Sequence, residues 1–162
     1  MIDIYIKANI KFNLNDAYWG IKHHWVDIKD VNNAAIYEIM NGKKDNLLYE
    51  ISYESDPHNV VSLIEQLAAK YPHYLKLDFN IAKRKWRYCK LYSIYNSGNS
   101  QKNILENVAI LYDDLGFPND MEKIVYYLPP KDGIYGINHL FENLCQFLND
   151  EKKWIDNNSI DG

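Results

Sequence analysis

Only two cysteines, Cys89 and Cys145, occur in the 162 residues, far apart and each inside an apolar helical pattern. That scarcity excludes a disulfide scaffold, and without a Cys-x-x-Cys spacing or a neighbouring histidine neither a redox motif nor a zinc site has local support. Both thiols read as reduced core residues, as expected in a cytoplasmic protein. No apolar run approaches the roughly 18 residues a membrane helix needs. The opening residues 1–7 carry an early acid, Asp3, and no small-residue cleavage site, so no secretory signal is expected. Also missing are a glycine-rich phosphate loop, a dinucleotide fingerprint, a Gly-x-Ser-x-Gly elbow and any fixed-period repeat. These absences remove the enzymes that announce themselves by a contiguous motif. They leave only an enzyme whose site is assembled in space, and they imply no cofactor and no metal.

What is present is an aromatic, globular composition. Hydrophobic residues make up 47% and charged residues 25%, while 14 tyrosines lead an aromatic share too high for a disordered chain. The net charge of -4 repels a phosphate backbone on average, so nucleic-acid affinity would need a local basic patch. The length suits one globular domain over residues 1–156, with a polar, frayed tail at 157–162.

Ile2, Ile4 and Ile6 alternate with Asp3, Tyr5 and Lys7, and Ile10, Phe12 and Leu14 continue the period of two. That pattern predicts an extended or β N-terminal arm over 1–12. From Asn13 the period becomes helical. Asn13 or Asn15 is a candidate N-cap before Ala17, Tyr18 and Ile21, and Asp27 caps a segment through Val31, Ala35 and Ile39 that ends at Asn41-Gly42. Leu47, Leu48 and Ile51 suggest a brief helix. Asp56-Pro57 starts another through Val60, Ile64 and Leu67 that stops at Pro72. Phe79, Ala82, Trp86 and Cys89 mark a buried stripe, and Ile104, Val108 and Leu111 a further one closed by Gly116. Asn119 and Glu122 have capping-box spacing ahead of a short helix over Met121 to Leu128, and Ile137, Leu140, Leu144 and Leu148 define the last. The expected fold is all-α: an irregular array of about six or seven short helices behind the arm.

Two longer stretches, Phe12-Asn13-Leu14-Asn15-Asp16-Ala17-Tyr18-Trp19-Gly20-Ile21-Lys22-His23 and Leu111-Tyr112-Asp113-Asp114-Leu115-Gly116-Phe117-Pro118-Asn119-Asp120-Met121-Glu122, are continued by Tyr126-Tyr127-Leu128-Pro129-Pro130-Lys131-Asp132-Gly133. Together they resemble the bacterial family catalogued as domain of unknown function 2247, from about Phe12 to the last helix, with the arm outside the likeness. The resemblance implies a mainly helical bacterial protein and carries over no catalytic residue. Bacterial proteins of this size and character are often encoded beside toxins, so it also implies a toxin-neutralising immunity protein as an expectation.

Three constellations remain. His23, His24 and Asp27 come nearest to a metal set, but adjacent helical residues point roughly 100° apart and cannot easily share an ion. Packing of a histidine beside Trp19 is the plainer reading. Lys83, Arg84, Lys85, Arg87 and Lys90 interleave with Trp86, Tyr88 and Tyr92, so Lys83, Arg87 and Lys90 could form a basic stripe over residues 83–92 for a nucleic acid. A solvated flank with apolar stems is its ordinary alternative. Asp113, Asp114, Asp120 and Glu122 surround the Gly116-Phe117-Pro118 turn beside Tyr126 and Tyr127, and Tyr18, Trp19, Tyr135 and Trp154 add to the aromatic surplus. The acids read foremost as helix-end and capping groups, since acid-base catalysis would require a desolvated carboxyl, while the aromatics suit an interface. The expected partner is another protein, in the most concrete form a toxin with a basic face.

Overall fold

The computed structural model describes residues 2–159. Among these the regular structure is wholly helical: α1 (Asp3–Lys7), α2 (Leu14–Lys22), α3 (Ile28–Met40), α4 (Asn46–Tyr53), α5 (Pro57–Lys70), α6 (Phe79–Tyr95), α7 (Gln101–Asp114), a 3-10 helix (Asn119–Ile124) and α8 (Ile137–Asn158). They fall into two compact units, residues 2–87 with 158–159, and residues 88–157.

The N-terminal arm is a correction, since residues 3–7 form a helix and not an extended or β segment. Among the described residues there is no strand for it to pair with, and an isolated strand leaves its backbone groups unbonded. Helical geometry also satisfies a different residue. Tyr5 is 1% exposed with its ring edge-on to Phe12 at 5.0 Å, whereas Ile6 is 69% exposed. Asn9 takes a left-handed φ of 54°, and the Ile10 amide donates to the Tyr5 carbonyl at 2.9 Å, which closes the helix.

Capping boxes set the next two starts. Asn13 Oδ1 accepts from the Asp16 amide at 3.0 Å while Asp16 Oδ2 accepts from the Asn13 amide at 3.0 Å, and Asp27 and Asp30 repeat the arrangement for α3. Asp45 caps α4, and Asp56 with Pro57 starts α5. Inward faces of α2 to α5 build one core from Leu14, Ala17, Ile21, Val31, Leu48, Ile51, Val60, Ile64 and Leu67, among others.

Asn15 serves a longer-range purpose than capping. Its amide donates to the Asp78 carbonyl at 3.0 Å and its oxygen accepts from the Asp78 amide at 2.8 Å, while Asp78 Oδ1 caps α6 by accepting from Ile81 N–H at 3.1 Å. One turn further along α6, Lys85 forms a buried ion pair with Asp16, both side chains no more than 2% exposed.

In residues 88–157, α7 buries Ile104, Leu105, Val108 and Leu111 and packs against the 3-10 helix, which buries Met121 and Ile124. The capping box expected at Asn119 and Glu122 is absent: Pro118 precedes the first turn without a side-chain cap, and Val125 is already extended. Glu122 reaches Lys131 instead. Along α8, Leu144, Phe147, Leu148 and Ile155 are buried. Cys89 is a buried thiol as expected, but Cys145 is exposed. Of the expected frayed tail, residues 157 and 158 complete α8, and residues 160–162 lie outside the described residues. No helix among the described residues is long and apolar enough to cross a membrane.

Candidate functional site

The chain between the 3-10 helix and α8 is irregular for local reasons. Pro129 and Pro130 lack backbone donors, and Gly133 and Gly136 take φ values of 72° and 121° that side-chain-bearing residues rarely adopt. This segment, the 3-10 helix and the first turns of α8 line a cleft of about 940 Å³. Its size lies near the top of the roughly 300–1,000 Å³ usual for ligand sites. Four large apolar side chains, Tyr126, Tyr127, Ile134 and Tyr135, line the cleft and all are exposed, Tyr135 at 76%.

The polar groups of the cleft are held in place. Tyr127 stands perpendicular to Tyr126, with centroids 5.7 Å apart, and its hydroxyl donates to Asp113 Oδ1 at 2.7 Å. That bond is the first cause holding the Tyr127 phenol up to about 12. Asp132 folds the loop back on itself: Oδ1 accepts from Ile134 N–H at 3.0 Å and Oδ2 lies 2.8 Å from His139 Nε2. The Ile134 amide and then His139 keep the Asp132 carboxyl below its ordinary range. His139 Nδ1 faces Glu142 at 3.9 Å, Lys131 pairs with Glu122 at 2.8 Å, and Asn143 donates to the Lys123 carbonyl at 3.0 Å. The arrangement offers flat aromatic faces beside fixed carboxylates. The described residues that line it include no serine, threonine or cysteine for His139 to activate.

Of the residues singled out in the sequence, Asp120, Glu122, Tyr126 and Tyr127 line this one cleft, and Asp113 joins them through Tyr127. Asp114 is exposed beside Asp113 in the last turn of α7. His139 and Ile134 went unmarked in the sequence, and Asp132 figured only within the family-resembling stretch. Nothing local tied Asp132 to a histidine seven positions later.

The other constellations resolve differently. On α6, Arg87 is buried, Lys85 is committed to Asp16, and Lys83 and Lys90 are half-buried. The basic stripe that Lys83, Arg87 and Lys90 could form for a nucleic acid therefore lacks its middle cation at the surface. His23 stacks on Trp25 and on Phe79, each at 4.9 Å and 21°, and Trp25 stacks on Trp86 at 4.8 Å. Partial burial, then Lys22, His24 and Lys83, keep the His23 imidazole below its ordinary value. Phe79 is thus part of a surface ring stack, not a fully buried stripe. Asp27 is engaged as a cap, and among the described residues no three His, Cys, Asp or Glu side chains gather as a metal set. Of the aromatic surplus singled out in the sequence, Tyr18 is buried and Trp19 and Trp154 are half-buried, which leaves Tyr126, Tyr127 and Tyr135 as its exposed members.

No curated protein and no solved structure matches this chain. A family profile does, over residues 2–152, and so takes in α1, which the sequence motifs had left outside. With that extent matched, the chain belongs to the family described as an uncharacterized protein conserved in bacteria (DUF2247).

Proposed function

We propose that this chain acts by binding another protein through the tyrosine-lined cleft of residues 88–157, and that the partner is a toxin which it neutralises. The observation that carries this reading is the cleft itself, where four exposed apolar side chains, Tyr126, Tyr127, Ile134 and Tyr135, surround a concave surface. Tyrosine buries a large ring at low entropic cost and keeps its hydroxyl bonded, which suits an interface anchor. The charge distribution supports a basic partner. Residues 88–157 hold ten acidic against six basic side chains, whereas residues 1–87 hold eleven against twelve. Opposed charge speeds encounter and rejects acidic competitors. A bacterial family and a small helical fold agree with an immunity role, whose chemistry is occlusion.

The test compares capture of a partner from native lysate by the wild-type chain and by a Tyr126→Ser/Tyr135→Ser variant. Both changes are at exposed positions and should leave thermal stability intact. A stoichiometric partner held by the wild type and lost by the variant is expected. Equal retention by both would remove the cleft from the interface. Co-expression then addresses neutralisation: growth arrest by the partner should be relieved by the wild type and not by the variant.

A further inference from the structure

We infer that the cleft of residues 88–157 is built to receive an arginine side chain from the partner protein. This rests on the protein-binding reading above and names the chemistry of what is bound. Beside Asp120, the cleft and the groups in contact with its walls carry four carboxylates, Asp113, Glu122, Asp132 and Glu142, against the ammonium groups of Lys123 and Lys131. Both ammonium groups are already engaged. Lys131 lies 2.8 Å from Glu122, and Lys123 sits over the Phe147 ring at 5.9 Å from its centroid. The site thus has an excess of negative charge that its own cations do not cancel. An anionic occupant would be repelled, and an apolar one would desolvate carboxylates without replacing their water.

Guanidinium fits what is left better than ammonium. It is flat, so it stacks on the exposed faces of Tyr126 and Tyr135, and its fork of N–H donors matches a carboxylate. Asp132 is prepared for that role. Its two oxygens hold Ile134 N–H and His139 Nε2 at fixed positions, and a carboxylate has about four lone-pair sites, so acceptor capacity remains after both contacts. These two bonds hold the turn at Asp132 and Ile134 within the chain itself, and a turn already formed lowers the entropic cost of recognition.

The experiment uses the full chain and three blocked heptapeptides, acetyl-Ala-Ala-X-Ala-X-Ala-Ala-amide, in which X is arginine, its neutral isostere citrulline, or lysine. Binding is followed by amide and tyrosine-ring chemical shifts. Expected are shifts at Tyr126, Ile134, Tyr135 and His139 with the arginine peptide, at least fivefold weaker affinity for the citrulline peptide, and at least threefold weaker for lysine. Tyr135→Leu should weaken arginine binding about threefold or more at unchanged melting temperature, consistent with loss of one stacking face. Equal affinity for arginine and citrulline, or shifts elsewhere than the cleft, would overturn the inference. If the arginine peptide fails while the Tyr126→Ser/Tyr135→Ser change still abolishes capture of the partner, the protein-binding reading stands and the arginine occupant falls. If that change does not affect capture, the reading of the cleft falls as well.

Discussion

At the scale of single residues the chain's most consequential placement is Lys85 against Asp16. In the sequence Lys85 is one cation in a basic run, and nothing near it indicates a carboxylate 69 positions earlier. Asp16 figured in the sequence only within the family-resembling stretch from Phe12 to His23. In the structure its Oδ2 accepts from both the Asn13 amide and Lys85, while Oδ1 is buried without a partner. Burial is the largest influence on the Asp16 carboxyl and raises it above its ordinary value, with Lys85 opposing. Removing the ammonium by Lys85→Met should therefore cost about 3–5 kcal/mol, the usual penalty for leaving one buried charge alone. The pH dependence has a definite sign. With the carboxyl raised further, the native state binds its proton more tightly than the unfolded chain does, so stability falls as pH rises from the ordinary carboxylate range towards the raised value. Urea unfolding should show a smaller deficit against the wild type near about pH 4 than near about pH 7. An equal deficit at both would mean that Asp16 is not the stranded charge.

Elements were legible where a cap coincides with a helical stripe, and misread where a pattern was short. Asp27, Asp56-Pro57 and Gly116 mark true helix ends because each acts through its own backbone neighbourhood. The alternation of Ile2, Ile4 and Ile6 misleads because five residues fit two periods almost equally, and the choice between them is made by Phe12 and by the absence of a pairing strand among the described residues. The two readings differ in which side chain matters. Tyr5→Ala should cost about 3–5 kcal/mol as a large aromatic lost from a core, while Ile6→Ala should stay within about 0.5 kcal/mol. Denaturant midpoints showing the reverse order would restore the strand. A cap also supplies an acid-sensitive tie between α4 and α5. Asp45 accepts from the Leu47 amide at 2.8 Å, from Lys70 at 2.7 Å and from the Tyr71 hydroxyl at 2.6 Å, and these bonds, Lys70 first, lower its carboxyl to about 2. A depressed folded value means the stabilisation is complete above the ordinary carboxylate range and is lost as pH falls towards about 2. Asp45→Asn should flatten that part of the acid limb, and an acid transition of unchanged steepness would show that Asp45 does not contribute to it.

For the molecule as a whole, the net charge of -4 is a weak guide, because the same total could come from an even or an uneven distribution. The acid excess lies in residues 88–157, the unit that also holds the exposed tyrosines of the cleft, Tyr126, Tyr127 and Tyr135. The sequence showed the acids and tyrosines of this region as neighbours along the chain, but the concave surface they line depends on the loop bonds of Asp132, which no local pattern displayed. If association with a basic partner is steered by the local field, it should respond to where charge is removed and not to the total. Asp113→Asn/Asp114→Asn takes the chain to a net -2 and should slow association severalfold at low salt, with the difference fading by about 1 M salt, where the screening length falls to roughly 3 Å. Lys29→Gln/Lys44→Gln, at exposed positions of the other unit, takes it to a net -6. Under steering by total charge this second pair should accelerate association by a similar factor, whereas under local steering the rate stays near wild type. Stopped-flow association rates measured for both pairs across a salt series separate the two. A rate that tracks net charge in both directions would show that the acids beside the cleft act only as part of the average.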